Sequence, residues 1–167
     1  MKYLDQVTKA SFTLTILISN SFLSHATTSP KKISPDTISV AISYGELIDK
    51  LTILEIKSER IKTRSKLDNI EKELLILSDI YLHNIPLTEE IESFKTALKQ
   101  INEQLWEIED DIRLKEQNKE FDDEFIELAR LVYITNDLRG EIKKRINECL
   151  GSYLTEEKEY THYERLS

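Results

Sequence analysis

The side chains best equipped for chemistry fall in two stretches. Glu103, Glu107, Glu109, Asp110 and Asp111 surround Trp106, and Arg130, Asn136 and Arg139 follow later in the chain. On a helix, Glu103/Glu107 and Glu107/Asp111 are like-charge neighbours that cost about 0.2–0.5 kcal/mol each unless a cation lies near. Arg130 or Arg139 would supply that cation, and so would a metal ion. Carboxylates alone suit Mg or Mn rather than Zn. Di-metal bundles add Glu-x-x-His on each of two helices; two such motifs are not present here, so no metal set is assigned. The candidate set is Glu107, Asp110, Asp111, Arg130, Asn136 and Arg139. It reads either as a buried polar network or as the lining of a ligand site, with an ion pair expected from Asp110 or Asp111 to Arg130.

Other reactive groups stand alone. His25, His83 and His162 are too scattered to form a helical ligand pair, and Cys149 has no His near it in sequence. Cys149 is therefore expected to be a small, half-buried residue rather than a nucleophile. One Cys excludes an internal disulfide and any Cys-based zinc site. No nucleophile–base pair commits the chain to catalysis, and nothing implies a cofactor. Lys143-Lys144-Arg145 is a basic run in a chain with 23 Lys+Arg against 31 Asp+Glu, a net charge of −8. Residues 1–37 carry a net +2, which leaves −10 for the remainder. Nucleic acid is excluded as the main partner, because that charge would be repelled by a phosphate backbone.

Helices must position these groups. The 167 residues include only 3 Gly and 3 Pro, and from Ser43 to Leu150 the breakers are Gly45, Pro86 and Gly140. Ser43-Tyr44-Gly45-Glu46 has capping-box spacing, with the Glu46 carboxylate expected to return to the Ser43 amide. The first helix then runs to about Lys62 on a stripe of Leu47, Leu51, Leu54 and Ile61, widened by Ile48 and Ile56. Glu46/Lys50 and Glu109/Arg113 have the spacing of i,i+4 ion pairs. Ser65 is placed to cap a second helix, on which Leu67, Ile70, Leu74, Leu77 and Tyr81 step by three and four. Pro86 ends it.

Thr88 caps a third helix whose Ile91, Phe94, Leu98, Ile101, Leu105, Ile108 and Ile112 form a coiled-coil-like seam. Asp122 or Asp123 caps a fourth, with Phe125, Leu128, Val132, Ile142 and Ile146 on its main stripe. Continuing that stripe places Thr135 and Arg139 where apolar residues belong, and Leu131, Ile134 and Leu138 flank it. Gly140 suggests a close helix approach, and Gly151 suits the residue after a helix C-cap. Only residues 38–42 alternate like a strand. The expected class is all-α: a bundle of about four helices in antiparallel hairpins, the third and fourth longest, with facing residue numbers summing to about 240.

The ends of the chain read differently. Lys2 and Lys9 precede an apolar run from Ala10 to Leu23, and Ser24-His25-Ala26 offers a cleavage pattern, the layout of a signal peptide over residues 1–26. Asp5 and the Ser, Thr and Asn residues within the run argue the other way, for a cytosolic arm. Fourteen residues are too few for a membrane-spanning helix, which takes about 20. The expected organisation is an extension over 1–37 that includes a Pro-containing linker, a bundle over 38–151, and a Tyr- and Glu-rich tail over 152–167. The tail either packs back on the bundle or stays free for a partner.

Three long stretches resemble a known family: Ser43-Tyr44-Gly45-Glu46-Leu47-Ile48-Asp49-Lys50-Leu51-Thr52-Ile53-Leu54-Glu55-Ile56-Lys57, Leu105-Trp106-Glu107-Ile108-Glu109-Asp110-Asp111-Ile112-Arg113, and Tyr133-Ile134-Thr135-Asn136-Asp137-Leu138-Arg139. With Gly151-Ser152 and Glu156-Glu157-Lys158, they are similar to a bacterial family of small proteins catalogued only as a domain of unknown function, over about residues 38–163. The resemblance implies a cytoplasmic protein; a working signal peptide would instead make it periplasmic or secreted. It transfers no catalytic role to any residue. Two functions compete: a non-enzymatic helical interaction module that binds a protein partner or itself, and a small-ligand binder or enzyme with a polar pocket between the third and fourth helices.

Overall fold

The computed structural model describes residues 37–159. The signal-peptide and linker expectations, and the tail beyond residue 159, fall outside the described residues. Four helices follow in order: α1 (Tyr44–Arg60), α2 (Arg64–Asn84), α3 (Glu89–Asn118) and α4 (Asp123–Cys149). Among the described residues there is no strand, and residues 38–42 run exposed and without regular structure into the N-cap of α1. None of these helices is long and apolar enough to cross a membrane.

The helix boundaries follow local chemistry. Ser43, Thr88 and Asp122 cap α1, α3 and α4, each accepting from the amide three residues on, which satisfies donors that have no partner within the helix. Ser65 lies inside α2, whose N-cap is Thr63, two residues earlier. Gly151 adopts φ 61°, and Ser152 N–H donates to the Asn147 carbonyl at 2.8 Å, closing α4 as a left-handed glycine after a C-cap does.

The core forms around α1, which packs against all three other helices. Its buried residues are not confined to one stripe. Leu47, Ile48, Leu51 and Leu54 fill the apolar side, while Gly45, Asp49, Thr52 and Ile56, at steps of four, three and four, are buried on another. Ile48, Leu98 and Ile146 are completely buried, each contributing about 1.5–3 kcal/mol by leaving water. The backbone of α2 lies close to α1 alone. Its last turns close the core with Tyr81, whose hydroxyl donates to Glu92 Oε1 on α3 at 2.8 Å. The far side of α2 leaves Leu75, Ile76, Ile80 and Leu82 exposed.

Polar contacts join α1 to α4 at one end. The Gly45 amide, in the first turn of α1, donates to Asn147 Oδ1 at 2.7 Å. The expected return of Glu46 to Ser43 is not made: the Glu46 carboxylate accepts instead from Lys143 Nζ at 2.7 Å, and Lys50 turns outward to Glu73 at 2.7 Å. Lys143 is buried and takes Glu156 of the tail as a second partner. The described part of the tail thus packs back on α4. Gly140 is where it crosses: a Cβ there would lie 3.3 Å from Lys158 Nζ, so the close approach is by the tail and not by a helix.

Gly45 is the tightest point of the α1–α4 contact. A Cβ at this position would stand 2.5 Å from the Lys143 carbonyl oxygen and 3.1 Å from Asn147 Oδ1. Ala raises helix propensity, yet backbone at that distance has to move, so Gly45→Ala should destabilise the protein by about 1–3 kcal/mol. Urea unfolding of the variant measures it; equal or greater stability would show that α1 and α4 are farther apart.

Candidate functional site

The central polar group is one that sequence periodicity does not single out. Asp49 is 1% exposed, and a buried carboxylate requires partners. It has them from two other helices. Arg139 of α4 donates Nε to Asp49 Oδ1 at 2.8 Å and Nη2 to Oδ2 at 2.5 Å, a fork-to-fork pair. Asn102 of α3 donates Nδ2 to the same Oδ1 and to Thr52 Oγ1, both at 2.9 Å. Thr52 in turn donates to the Asp49 carbonyl at 2.9 Å. Arg139 also gives Nη1 to Asn136 Oδ1, one turn back on its own helix, at 3.3 Å. The Asp49 carboxylate, outweighing the effect of burial, holds the Arg139 guanidinium above its ordinary pKa.

Lys143 sits one turn farther along α4. Burial works against its charge, but the Glu156 and Glu46 carboxylates prevail, so its pKa is raised. Glu156 is shifted down chiefly by its bond to Lys143.

Beside the Asp49 network a groove of about 540 Å3 opens between α1, α3 and α4. Asn102 and Arg139 belong both to the network and to the groove wall, so buried bonds fix part of its lining. Ile53, Ile56 and Leu105 give it an apolar side, with Trp106 next to them. Lys57, Glu109, Asp110, Arg113 and Asn136 complete it. The Trp106 ring is also flanked by Arg60, whose guanidinium lies 5.6 Å from the ring centroid, within reach of a cation–π contact.

The six residues singled out from sequence divide. Asp110, Asn136 and Arg139 meet at the groove. Glu107 pairs with Arg60 and does not line the groove, and Asp111, exposed as Asp110 is, does not line it either. The expected Asp110 or Asp111 pair with Arg130 does not form. Arg130 reaches only Glu127 on its own helix, at 3.8 Å, because the inward stripe of α4 passes through Thr135, Arg139 and Ile146 and leaves Arg130 to one side. The cation of the network is Arg139, and its anion comes from α1, a helix that pairing α3 with α4 alone leaves out. Glu109 and Arg113 do form their i,i+4 pair, at 2.6 Å. Cys149 is exposed instead of half-buried.

Asp49, Thr52, Asn102, Lys143 and Asn147 are the buried polar residues missed from sequence. The available signal was spacing. Gly45, Asp49, Thr52 and Ile56 repeat like an apolar stripe, and Asn102 falls between Leu98 and Leu105 at steps of four and three. Among the described residues no group of three or more His, Cys, Asp or Glu side chains is arranged to hold a metal ion.

Breaking the pair from either end should have unequal effects. The Asp49 side chain is 2% exposed and that of Arg139 27%, so an orphaned arginine can turn to water and an orphaned aspartate cannot. Arg139→Ala should cost about 3–5 kcal/mol, the range for leaving a buried charge unpaired, and Asp49→Ala less. Denaturant unfolding at neutral pH compares them; the opposite order would mean that Asp49 reaches solvent.

No curated protein and no solved structure matches the chain. Residues 38–164 match a family of unknown function, DUF6165, so the match takes in all four helices, the Asp49 network and the groove. The chain belongs to that family.

Proposed function

We propose that the protein binds a small polar molecule in the groove between α1, α3 and α4. One observation supports this above all: a groove of about 540 Å3 has two of its polar lining side chains, Asn102 and Arg139, already held in place by a buried network. Small-molecule sites span roughly 300–1,000 Å3 and combine an apolar wall with a few oriented polar groups. Here Ile53, Leu105 and Trp106 provide the wall. Arg139 and Asn102, held through Asp49, provide the oriented groups. Side chains that do not need to reorganise lose less freedom when a ligand arrives.

A second reading, an interaction module, is supported by the outer face of α2. Leu75 is 72% and Leu82 59% exposed, with Ile76 and Ile80 beside them. Large apolar side chains left in water on one helix favour a contact there. Sedimentation of the full chain tests its self-association: association that Leu75→Glu and Leu82→Glu abolish supports it, and a monomer at high concentration refutes self-association through this face.

The small-molecule reading is tested by the indole N–H resonance of Trp106, the only Trp in the chain. Amino acids, carboxylates, phosphates and sugars are added separately at about 1 mM, where a binding free energy near −4 kcal/mol registers. At least one class should shift that resonance, and Asn136→Trp, which fills the groove, should abolish the response. No shift with any class would overturn the proposal.

A further inference from the structure

The charges lining the groove nearly cancel one another, and the pattern of those left over narrows the ligand. Arg113 is engaged by Glu109. Arg139 is engaged by Asp49 and Asn136, yet a guanidinium has five N–H donors and these contacts use three. Two therefore remain on a group whose orientation is fixed. Among the described residues, Lys57 on α1 and Asp110 on α3 line the groove without an ion pair or a side-chain hydrogen bond. The site thus presents one unmatched cation and one unmatched anion, next to the apolar surface of Ile53, Leu105 and Trp106.

A ligand with a single charge would leave one of these two groups unmatched while displacing water from it, which is unfavourable. An uncharged ligand would leave both. A molecule carrying both signs meets each with its opposite. Such a ligand presupposes the small-molecule site proposed above and specifies its chemistry.

We propose that the groove takes a small zwitterion with an apolar body, the chemistry of an α-amino acid or a short peptide. Its carboxylate lies against Lys57 and the spare donors of Arg139, its ammonium lies against Asp110, and its apolar part lies on Ile53, Leu105 and Trp106. No covalent step is involved.

Isothermal titration of the full chain tests this with leucine and tryptophan. Each is compared with its carboxylate-only analogue (isocaproate, indolepropionate), its ammonium-only analogue (isoamylamine, tryptamine) and the corresponding dipeptide. At least one zwitterion should bind about tenfold or more tightly than both of its singly charged analogues, the gain from one charge-assisted contact. Lys57→Gln should weaken the zwitterion and the carboxylate but not the amine, and Asp110→Asn should weaken the zwitterion and the amine but not the carboxylate. Both residues line the groove and neither bonds to the Asp49 network. A free amino acid as ligand would favour the single residue, and a peptide end would favour the dipeptide. Equal binding by a singly charged analogue, or binding only by phosphate or sugar, overturns the zwitterion and leaves the small-molecule site standing. If nothing binds and the Trp106 resonance never shifts, both fall.

Discussion

A single buried carboxylate organises this bundle. Asp49 projects from α1 into the space where α3 and α4 meet, and its bonds to Asn102 and Arg139 tie three helices to one point. Apolar packing alone tolerates small shifts, because one methyl group resembles another. A fork-to-fork pair does not, since a displacement that breaks it leaves a charge buried without a partner. The expected effect of Asp49 is therefore on which arrangement of helices forms, more than on net stability. The same bonds hold Arg139 and Asn102 in the groove wall.

Further polar contacts tie both ends of α1 to its neighbours. Toward the start of α1, the Gly45 amide meets Asn147 and the Glu46 carboxylate meets Lys143. Toward its end, Arg60 meets Glu107, and Lys99 meets Glu59 at 2.6 Å. The pairs at that end are largely exposed and contribute about 0–1 kcal/mol each. The buried contacts are thus at Asp49 and Lys143, and the groove opens next to the first of them. Lys143 also holds Glu156, so the described part of the tail reaches the second cluster, and none of its described residues lines the groove.

Helical class and number were legible, as were the N-caps of α1, α3 and α4 though not that of α2, because these helices carry local evidence. Thr88 and Asp122 announce α3 and α4, Pro86 separates α2 from α3, and Gly151 adopts the left-handed backbone that its type suggests. Arg139 and Thr135 were legible as polar residues on an inward stripe, and both prove inward. Asp49 was not, because it lies one position from Ile48 in a helix whose exposed side was expected to be polar. Its burial follows from α1 being covered on several sides, a tertiary fact that the periodicity of one helix does not encode. Arg130 misled for the same reason. Facing positions on two helices suggested a partner, while the partner that mattered came from a third.

The central claim is that Asp49 and Arg139 act as one unit, and a double-mutant cycle measures that directly. Asp49→Asn, Arg139→Gln and the double variant are unfolded in urea under identical conditions. The account predicts strong non-additivity: once either partner is gone, removing the other should cost little more, leaving a coupling energy in the upper part of the roughly 0.5–3 kcal/mol seen for groups in contact. Additive effects, agreeing within about 0.5 kcal/mol, would show that the two side chains are independent and would remove the basis for a fixed groove wall.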